Sequence, residues 1–293
     1  MSSTQLAEAN TAQSFLTAPT KYIEVGGNTF AYREVGVGRP LVLFNRFRAT
    51  MDDWDPLTND LLTKTRRVII FDNVGVGFSS GVVPPSVRQM ALDAITFLEA
   101  LFDEPVDIMG FSLGGYVVQI VTLERPDTVR KMIMAGTGPG VGTPETQPDP
   151  WINQFTTRPS VDEEAIVNLF FTDSEESKAA GHAHWARTQQ RTEDRAPAVK
   201  PESVAGQVAA VADWRAGKGS AYADLASIKV PVLIANGDED RMVPTLNSWL
   251  AFVRIPRAEL DLYPDSGHGF HYQYPHLFVE HATRFLDKDW YED

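Results

Sequence analysis

Three residues spaced far apart along this chain are of the types that together perform acyl transfer. Ser112 lies in VDIMGFSLGG, residues 106–115, where an apolar run ends in a serine held between glycines. The pentapeptide GFSLG fits G-x-S-x-G, the pattern of a serine on a sharp strand-to-helix turn. Side chains two residues before and after such a serine would collide with neighbouring backbone. A serine hydroxyl is a weak nucleophile; it needs a base, usually histidine, which is in turn oriented by an acid. Of six histidines, His268 in YPDSGHGF is the best candidate, since it follows the last strand-like run in a glycine-flanked loop. His271 is the reserve, while His276 and His281 fall in a closing helical pattern as packing or surface residues. For the acid, VLIANG runs into DEDRMVP and sets Asp238, Glu239 and Asp240 just beyond a strand; Asp240 is the choice. Taken singly, each has a plainer reading: a small residue at a crowded turn, a turn carboxylate before Val243 and Pro244, a turn histidine between glycines. All three falling at matching strand ends is what points to catalysis.

The elements that must position them can be read from hydrophobic periodicity. KYIEV and TFAYREV alternate about Gly26, Gly27 and Asn28, as in an antiparallel hairpin. PLVLFN, RRVIIFD, VDIMGF and KMIMAG are nearly continuous apolar runs, the composition of strands covered on both faces, and VPVLIANG and AELDLYP follow later. Between them, residues 86–102 carry Val87, Met90, Ala91, Ala94, Leu98 and Leu101 on one helical stripe, with Ser86 and Gln89 as a capping box. YVVQIVTLE continues the serine turn as a helix. A last helix is expected from Pro275, with Leu277, Phe278, His281, Phe285 and Leu286 inward. Strand and helix in alternation predict a mostly parallel, doubly wound sheet. The stretch 138–225 breaks this rhythm. It opens with GPGVGTPETQPDP and offers three helical stretches, signalled by Ser160 with Glu163, Thr172 with Glu175, and Pro201, and it reads as an inserted helical lid. The expected organisation is therefore a tail over 1–19, a core over 20–137 and 226–293, and the lid over 138–225.

Composition bounds what such a site would meet. With 26 basic and 39 acidic side chains the net charge is −13, which opposes nucleic acid and anionic membranes. Forty-three per cent hydrophobic residues and 22% charged residues suit a globular protein. The absence of cysteine excludes disulfides, thiolate metal sites and a cysteine nucleophile, and leaves the redox compartment undetermined. The first nineteen residues lack the basic start and apolar run of a signal peptide and read as a mobile tail, and no run is long enough to span a bilayer. A cytoplasmic location is the default expectation.

GFSLGG, FDNVGVGFSSG (71–81), NGDEDRMVP (236–244) and DSGHGF (265–270) together resemble the α/β hydrolase superfamily over about residues 20–290, apart from the lid. The nearest likeness is to its cofactor-free haloperoxidase and enol-lactone hydrolase branch. The resemblance implies an α/β-hydrolase fold and a triad of Ser112, Asp240 and His268. It also implies an oxyanion hole from the backbone N–H groups of Leu113 and Phe47, no cofactor, and no metal. This chain departs from the pattern after LVLF, where Asn45, Arg46, Phe47 and Arg48 replace the usual His-Gly, so the second oxyanion donor depends on the course of the NRFR loop. Relatives that act as haloalkane dehalogenases or epoxide hydrolases place an aspartate where Ser112 stands.

Other features carry less. Arg46 and Arg48 could meet a substrate carboxylate or pair locally with Asp52, Asp53 or Asp55. Trp185 and Trp214, with Phe170 and Phe171, could line an apolar substrate pocket or simply pack the lid. GVGFSSG spaces its glycines too widely for a dinucleotide loop and reads as a turn, and the two histidines of GHAHW lie on different sides of a helix, unsuited to a metal. The expectation is a serine hydrolase acting on an ester or lactone of a small, largely apolar molecule. Three alternatives stay open: perhydrolysis, carbon–carbon bond hydrolysis by the same triad, and a non-catalytic receptor for a small ligand. Oligomeric state is not legible.

Overall fold

A computed structural model describes residues 14–290. Its centre is an eight-stranded sheet: β1 Lys21–Val25, β2 Asn28–Val35, β3 Pro40–Phe44, β4 Arg67–Phe71, β5 Val106–Phe111, β6 Val129–Ala135, β7 Val232–Gly237 and β8 Ala258–Tyr263. The spatial order is β1-β2-β4-β3-β5-β6-β7-β8. The β1–β2 hairpin and the β2–β4 pair are antiparallel, and every other pairing is parallel. The hairpin turns at Gly26 and Gly27, both at positive φ (60° and 78°), as a two-residue loop of matching twist requires.

The continuous apolar runs are explained by burial on two sides. Val42, Phe44, Ile69, Phe71, Met132 and Met134 face one core, and Leu41, Leu43, Val68, Ile70, Ile133 and Ala135 face the other. The first core is closed by α2 (Val87–Leu101), α3 (Leu113–Glu124) and α8 (Leu246–Phe252). The second is closed by α1 (Pro56–Leu62) and α10 (Pro275–Asp287), with the short α9 (Phe270–Gln273) between site loop and helix. Phe278, Phe285 and Leu286 of α10 point inward as expected. Leu277 does not: it is exposed, and His281 sits half-buried at the edge of the helix beside Asp261 and the Tyr263 hydroxyl.

Between β6 and β7 the described chain forms no strand. It contains α4 (Asn153–Thr156), α5 (Glu163–Phe170), α6 (Glu175–Thr188) and α7 (Pro201–Arg215). Pro201 opens α7 as predicted, but two caps shift. The side chain of Asp162, not Ser160, caps α5, and Ser174, not Thr172, caps α6. In each case the residue adjacent to the first turn reaches the free N–H groups and the more distant hydroxyl does not. The Thr172 hydroxyl instead donates to Asp265 (2.6 Å).

This insertion is fastened to the core by two buried carboxylates in the loop that follows β3. Asp52 accepts from Arg33 (2.6 Å) and from the backbone N–H of Ala196 (2.6 Å). Asp55 accepts from His184 Nδ1 (2.9 Å) and the Arg187 guanidinium (2.6 Å), and its other oxygen caps α1 at Leu57. Burial alone would raise the Asp55 carboxyl, but these hydrogen bonds outweigh it and hold it below the usual carboxylate range. Burial holds His184 below its own ordinary value despite the opposing effect of Asp55. Most of the tail expected over 1–19 lies outside the described residues. From residue 14 onward the chain lies against the core: Phe15 is buried, its N–H bonds Asp60 (3.0 Å), and its carbonyl accepts from Arg191 (2.9 Å).

Asp55→Ala is expected to lower stability by about 1–3 kcal/mol by leaving the buried His184 imidazole and the half-buried Arg187 guanidinium without their acceptor, measured by urea denaturation. Removing Lys21 from its exposed pair with Glu34 should cost no more than about 1 kcal/mol.

Candidate active site

The strand order reverses direction between β3 and β5, and in open α/β sheets the crevice beyond the carboxyl ends at that point is where ligands bind. The chain places the predicted residues there. Phe47 follows β3 by three residues, Ser112 follows β5 directly, Asp240 lies three past β7, and His268 five past β8.

Ser112 has φ 55° and ψ −116°, outside the regions open to most L residues. Its N–H is held by the Ala135 carbonyl (2.9 Å), and its own carbonyl accepts from Gly115 N–H (2.9 Å) and the Thr137 hydroxyl (2.9 Å). The glycines around it are required by contact. A Cβ on Gly114 would come within 2.1 Å of the Phe44 carbonyl, and one on Gly110 within 2.3 Å of the Gly114 carbonyl. The first turn of α3 is thereby packed directly on the end of β3.

His268 Nδ1 lies 2.7 Å from Asp240 Oδ2, and both side chains are almost fully buried. The other Asp240 oxygen accepts from the N–H groups of Met242 (2.8 Å) and Val243 (2.9 Å), so this carboxylate caps a turn and orients an imidazole at once. Asp238 and Glu239 serve differently, joining the two loops through Ser266. His268 Nε2 is buried with no hydrogen-bond partner. The ring lies between Phe111 (4.8 Å) and Phe170 (5.2 Å). Gly267 and Gly269 allow the end of α5 to approach, where the Phe170 carbonyl accepts from Gly269 N–H (2.7 Å).

Ser112 and His268 line one cavity of about 420 Å³, part of it open to solvent. The core side contributes Arg46, Phe47, Arg48 and Met242. The insertion contributes an apolar wall that includes Phe155, Ile166, Leu169 and Phe170. The amides of Phe47 and Leu113 make no hydrogen bond among the described residues. The NRFR loop that carries Phe47 is pinned on several sides. Asn45 donates to the Phe71 carbonyl (2.8 Å) and accepts from Trp54 Nε1 (2.5 Å), and Arg48, itself at φ 54°, donates its N–H to Gln207 of α7 (2.9 Å). Nearby, Asp72 accepts from Met51 (2.8 Å) and Phe78 (2.9 Å), and burial pushes its carboxyl up to about 7. GVGFSSG is the turn that wraps this carboxylate.

Several predicted residues lie elsewhere. His271 is enclosed by Trp54, Phe111, Phe270, Tyr272 and Phe278, with neither nitrogen hydrogen-bonded, and does not line the cavity. Trp214 is stacked on Tyr116 (5.0 Å), donates to the Gly138 carbonyl (3.1 Å), and borders a separate crevice; Trp185 packs into the second core. The structure thus places neither tryptophan at the cavity, because the faces of α6 and α7 that carry them turn to the body. Arg48 lines the cavity, but its guanidinium donates to the carbonyls of Thr156, Arg158 and Pro159 and so ties α4 to the loop. The histidines of GHAHW separate as their spacing implies, His182 to Glu163 and His184 to Asp55. Sequence reasoning missed Gln207, whose only signal is a polar residue on a helix face that turns out to be buried, and the wall residues of α4 and α5 other than Phe170, which does line the cavity.

With this geometry in hand, the comparisons are informative. The sequence profile of the alpha/beta hydrolase fold matches residues 39–275. The chain belongs to that family. A solved alpha/beta hydrolase fold protein from Chitinophaga pinensis is 40% identical, covers 94% of this chain and 100% of its own, and superposes with a TM-score of 0.88. A 2-hydroxymuconate semialdehyde hydrolase of Pseudomonas sp. is 26% identical over 92% of this chain and 94% of that protein, and a non-heme haloperoxidase of Rhodococcus erythropolis 27% over 83% and 90%. The haloperoxidase-like branch is therefore among the relatives of this family member. Among the described residues no helix is long and apolar enough to cross a membrane.

Burial holds the His271 imidazole well below its ordinary value. In the unfolded chain it takes up a proton below about pH 6.5 while the folded chain stays neutral, so its contribution to stability is lost as pH falls. Replacing His271 with Phe is expected to remove that loss. The stability difference between wild type and H271F should change by about 1.4 kcal/mol per pH unit below pH 6.5, read from denaturation at pH 5 to 7.5.

Proposed function

We propose that this hydrolase-family member is a serine hydrolase that cleaves an ester or lactone of a small, largely apolar molecule through an acyl-enzyme. The observation that carries the proposal is the convergence at one cavity of Ser112, in its strained backbone conformation, with an imidazole whose Nδ1 is engaged by Asp240 and whose Nε2 has no partner. That arrangement leaves Nε2 as the one ring nitrogen able to take a proton from a hydroxyl.

In the first step the Ser112 oxygen attacks the substrate carbonyl carbon while its proton passes to His268 Nε2. Asp240 holds the resulting imidazolium through Nδ1–H. The oxyanion is received by the amides of Leu113 and Phe47, each worth roughly a hundred- to a thousandfold in rate. Collapse breaks the bond to the alcohol oxygen, which takes the proton from Nε2. A water then gives its proton to Nε2, its oxygen adds to the acyl carbon, and the Ser112 oxygen leaves and regains the proton. The helical insertion serves as the lid, and its apolar wall receives the acyl or alcohol chain. No cofactor enters these steps. The partner is a small molecule.

A second reading is favoured by the similarity to the Rhodococcus haloperoxidase: the same three residues could deliver an acyl group to hydrogen peroxide instead of water. Comparing peracid with acid formation in the presence of peroxide distinguishes the two.

Ser112→Ala is expected to abolish turnover of p-nitrophenyl acetate, by about 10⁴-fold or more, together with covalent labelling by a fluorophosphonate. His268→Ala should do the same, whereas His271→Phe should retain turnover. Ester cleavage that survives Ser112→Ala would remove the assignment. Labelling without steady-state turnover would instead favour a receptor.

A further inference from the structure

The loop between β8 and α9 carries His268 and is gripped from two sides. On one side Asp238 Oδ1 accepts from the Ser266 N–H (3.1 Å) and the Ser266 carbonyl accepts from the Glu239 N–H (3.0 Å), which joins it to the loop of Asp240. On the other side it meets the turn between α5 and α6 of the insertion, and there the joint is Asp265. The carboxylate accepts from the Thr172 hydroxyl through one oxygen (2.6 Å) and from the Ser174 hydroxyl through the other (2.7 Å). The Asp265 carbonyl accepts from Gln273 Nε2 (2.8 Å), and Gln273 Oε1 in turn accepts from the Ser177 hydroxyl of α6 (2.7 Å). Just past His268, the Gly269 N–H donates to the Phe170 carbonyl (2.7 Å), and the Phe170 ring lies 5.2 Å from the imidazole. The histidine is thus bracketed, at 265 and at 269, by contacts to one turn of the insertion.

Asp265 itself has φ 46°, a left-handed conformation that L residues seldom adopt and that Asp tolerates better than most. The hydroxyls of Thr172 and Ser174 hold its carboxyl below the usual carboxylate range, so they donate to a charged acceptor, and such bonds are stronger than neutral ones. The Asp240 contact does not by itself fix the imidazole. One hydrogen bond at Nδ1 leaves the ring able to swing about it, and the direction of Nε2 then depends on the backbone that carries the side chain and on the rings packed against it. Of those rings, Phe111 belongs to the core but Phe170 belongs to the insertion. A misplacement of about 1 Å in a reacting group can cost roughly a hundredfold in rate.

We propose that Asp265 is a positioning residue for His268: it fastens the histidine loop to the α5–α6 turn, so that Nε2 keeps its productive direction only while the insertion is seated. The proposal rests on the serine-hydrolase reading for the chemistry, whereas the fastening can be measured without turnover.

Asp265→Gly accommodates the positive φ and deletes both acceptors, so it removes the fastening and not the turn. In wild type and variants, kcat/KM is compared for p-nitrophenyl acetate and ethyl acetate. Both esters yield the same acetyl-enzyme, but ethoxide needs a proton from Nε2 as it leaves and p-nitrophenoxide does not. The ratio of ethyl to p-nitrophenyl ester should fall by about tenfold or more in D265G. Loss of folded protein would lower both alike and leave the ratio unchanged. D265N, which keeps one acceptor oxygen and tolerates the turn, should fall between D265G and wild type. T172V should lower the ratio in the same direction, and D265G/T172V no further than D265G alone, because both act through one contact. In parallel, the Gly269 amide of D265G should exchange with deuterium about tenfold faster or more than that of the wild type. An unchanged ratio in D265G, a T172V effect that multiplies with it, or unchanged exchange at Gly269 would each overturn the proposal. A wild type that neither turns over these esters nor accepts a fluorophosphonate would instead fall on the hydrolase reading, and the exchange at Gly269 would then decide the fastening alone.

Discussion

Ser112 occupies a backbone conformation that ordinary L residues avoid, and the surrounding core is built so that it can stay there. The strain, of order 1–3 kcal/mol, is sustained because α3 lies in direct backbone contact with the end of β3, Gly114 against the Phe44 carbonyl, with no side chain between them. That contact fixes more than the serine. It brings the start of α3 and the loop after β3 to one place, so Ser112 and the residue three past β3 share a cavity. A larger side chain at 110 or 114 would separate α3 from the sheet and misplace both.

The opposite wall of the cavity is held by polar contacts as well as apolar ones. Phe155, Ile166, Leu169 and Phe170 present a hydrocarbon face to Ser112, yet the elements behind them are tied down by hydrogen bonds. Asp55 engages His184 and Arg187, Asp52 engages Ala196, Gln207 receives Arg48 N–H, and Arg48 grips three carbonyls around α4. Partly buried groups of this kind lose heavily if one partner is displaced. The wall therefore has a defined resting position, set by the loop that also supplies Phe47. Loop and wall are one unit, and a change in either is transmitted to the other.

This division explains what the sequence disclosed. The strands were legible because burial on both faces demands unbroken apolar runs, and the site loops because the strand ends carry glycines that close contact requires, Gly110 and Gly114 about the serine, Gly267 and Gly269 about His268. Asp240 was legible only through its place after VLIANG, since an Asx-type cap and a histidine partner look alike in sequence; the structure gives it both roles. The facing of two helices in the insertion resisted reading because the sides they bury are in large part polar. α6 buries Ser177, His184 and Thr188, and α7 buries Ser203 and Gln207, so neither presents a clear apolar stripe. Their partners, Asp55, Arg48 and Gly75, lie more than 120 residues away, beyond any local pattern. The two lid tryptophans stayed ambiguous in sequence for the same reason: aromatic residues in a segment of uncertain facing give no direction.

Charge is distributed unevenly between the molecule as a whole and its cavity. A chain of net charge −13 repels carboxylates at long range, but at physiological salt this field decays over roughly 8 Å. Within the cavity the nearest charges are Arg46 and Arg48, while Asp240 is occupied by His268 and Asp53 by Thr50. The local sign is thus opposite to the global one. Inside, the low-dielectric surroundings of Phe170, Ile166 and Leu169 strengthen any interaction with these two guanidinium groups. Acidity of the surface and basicity of the site are then complementary. The first acts at long range and is screened by salt, whereas the second acts only on what has entered the cavity.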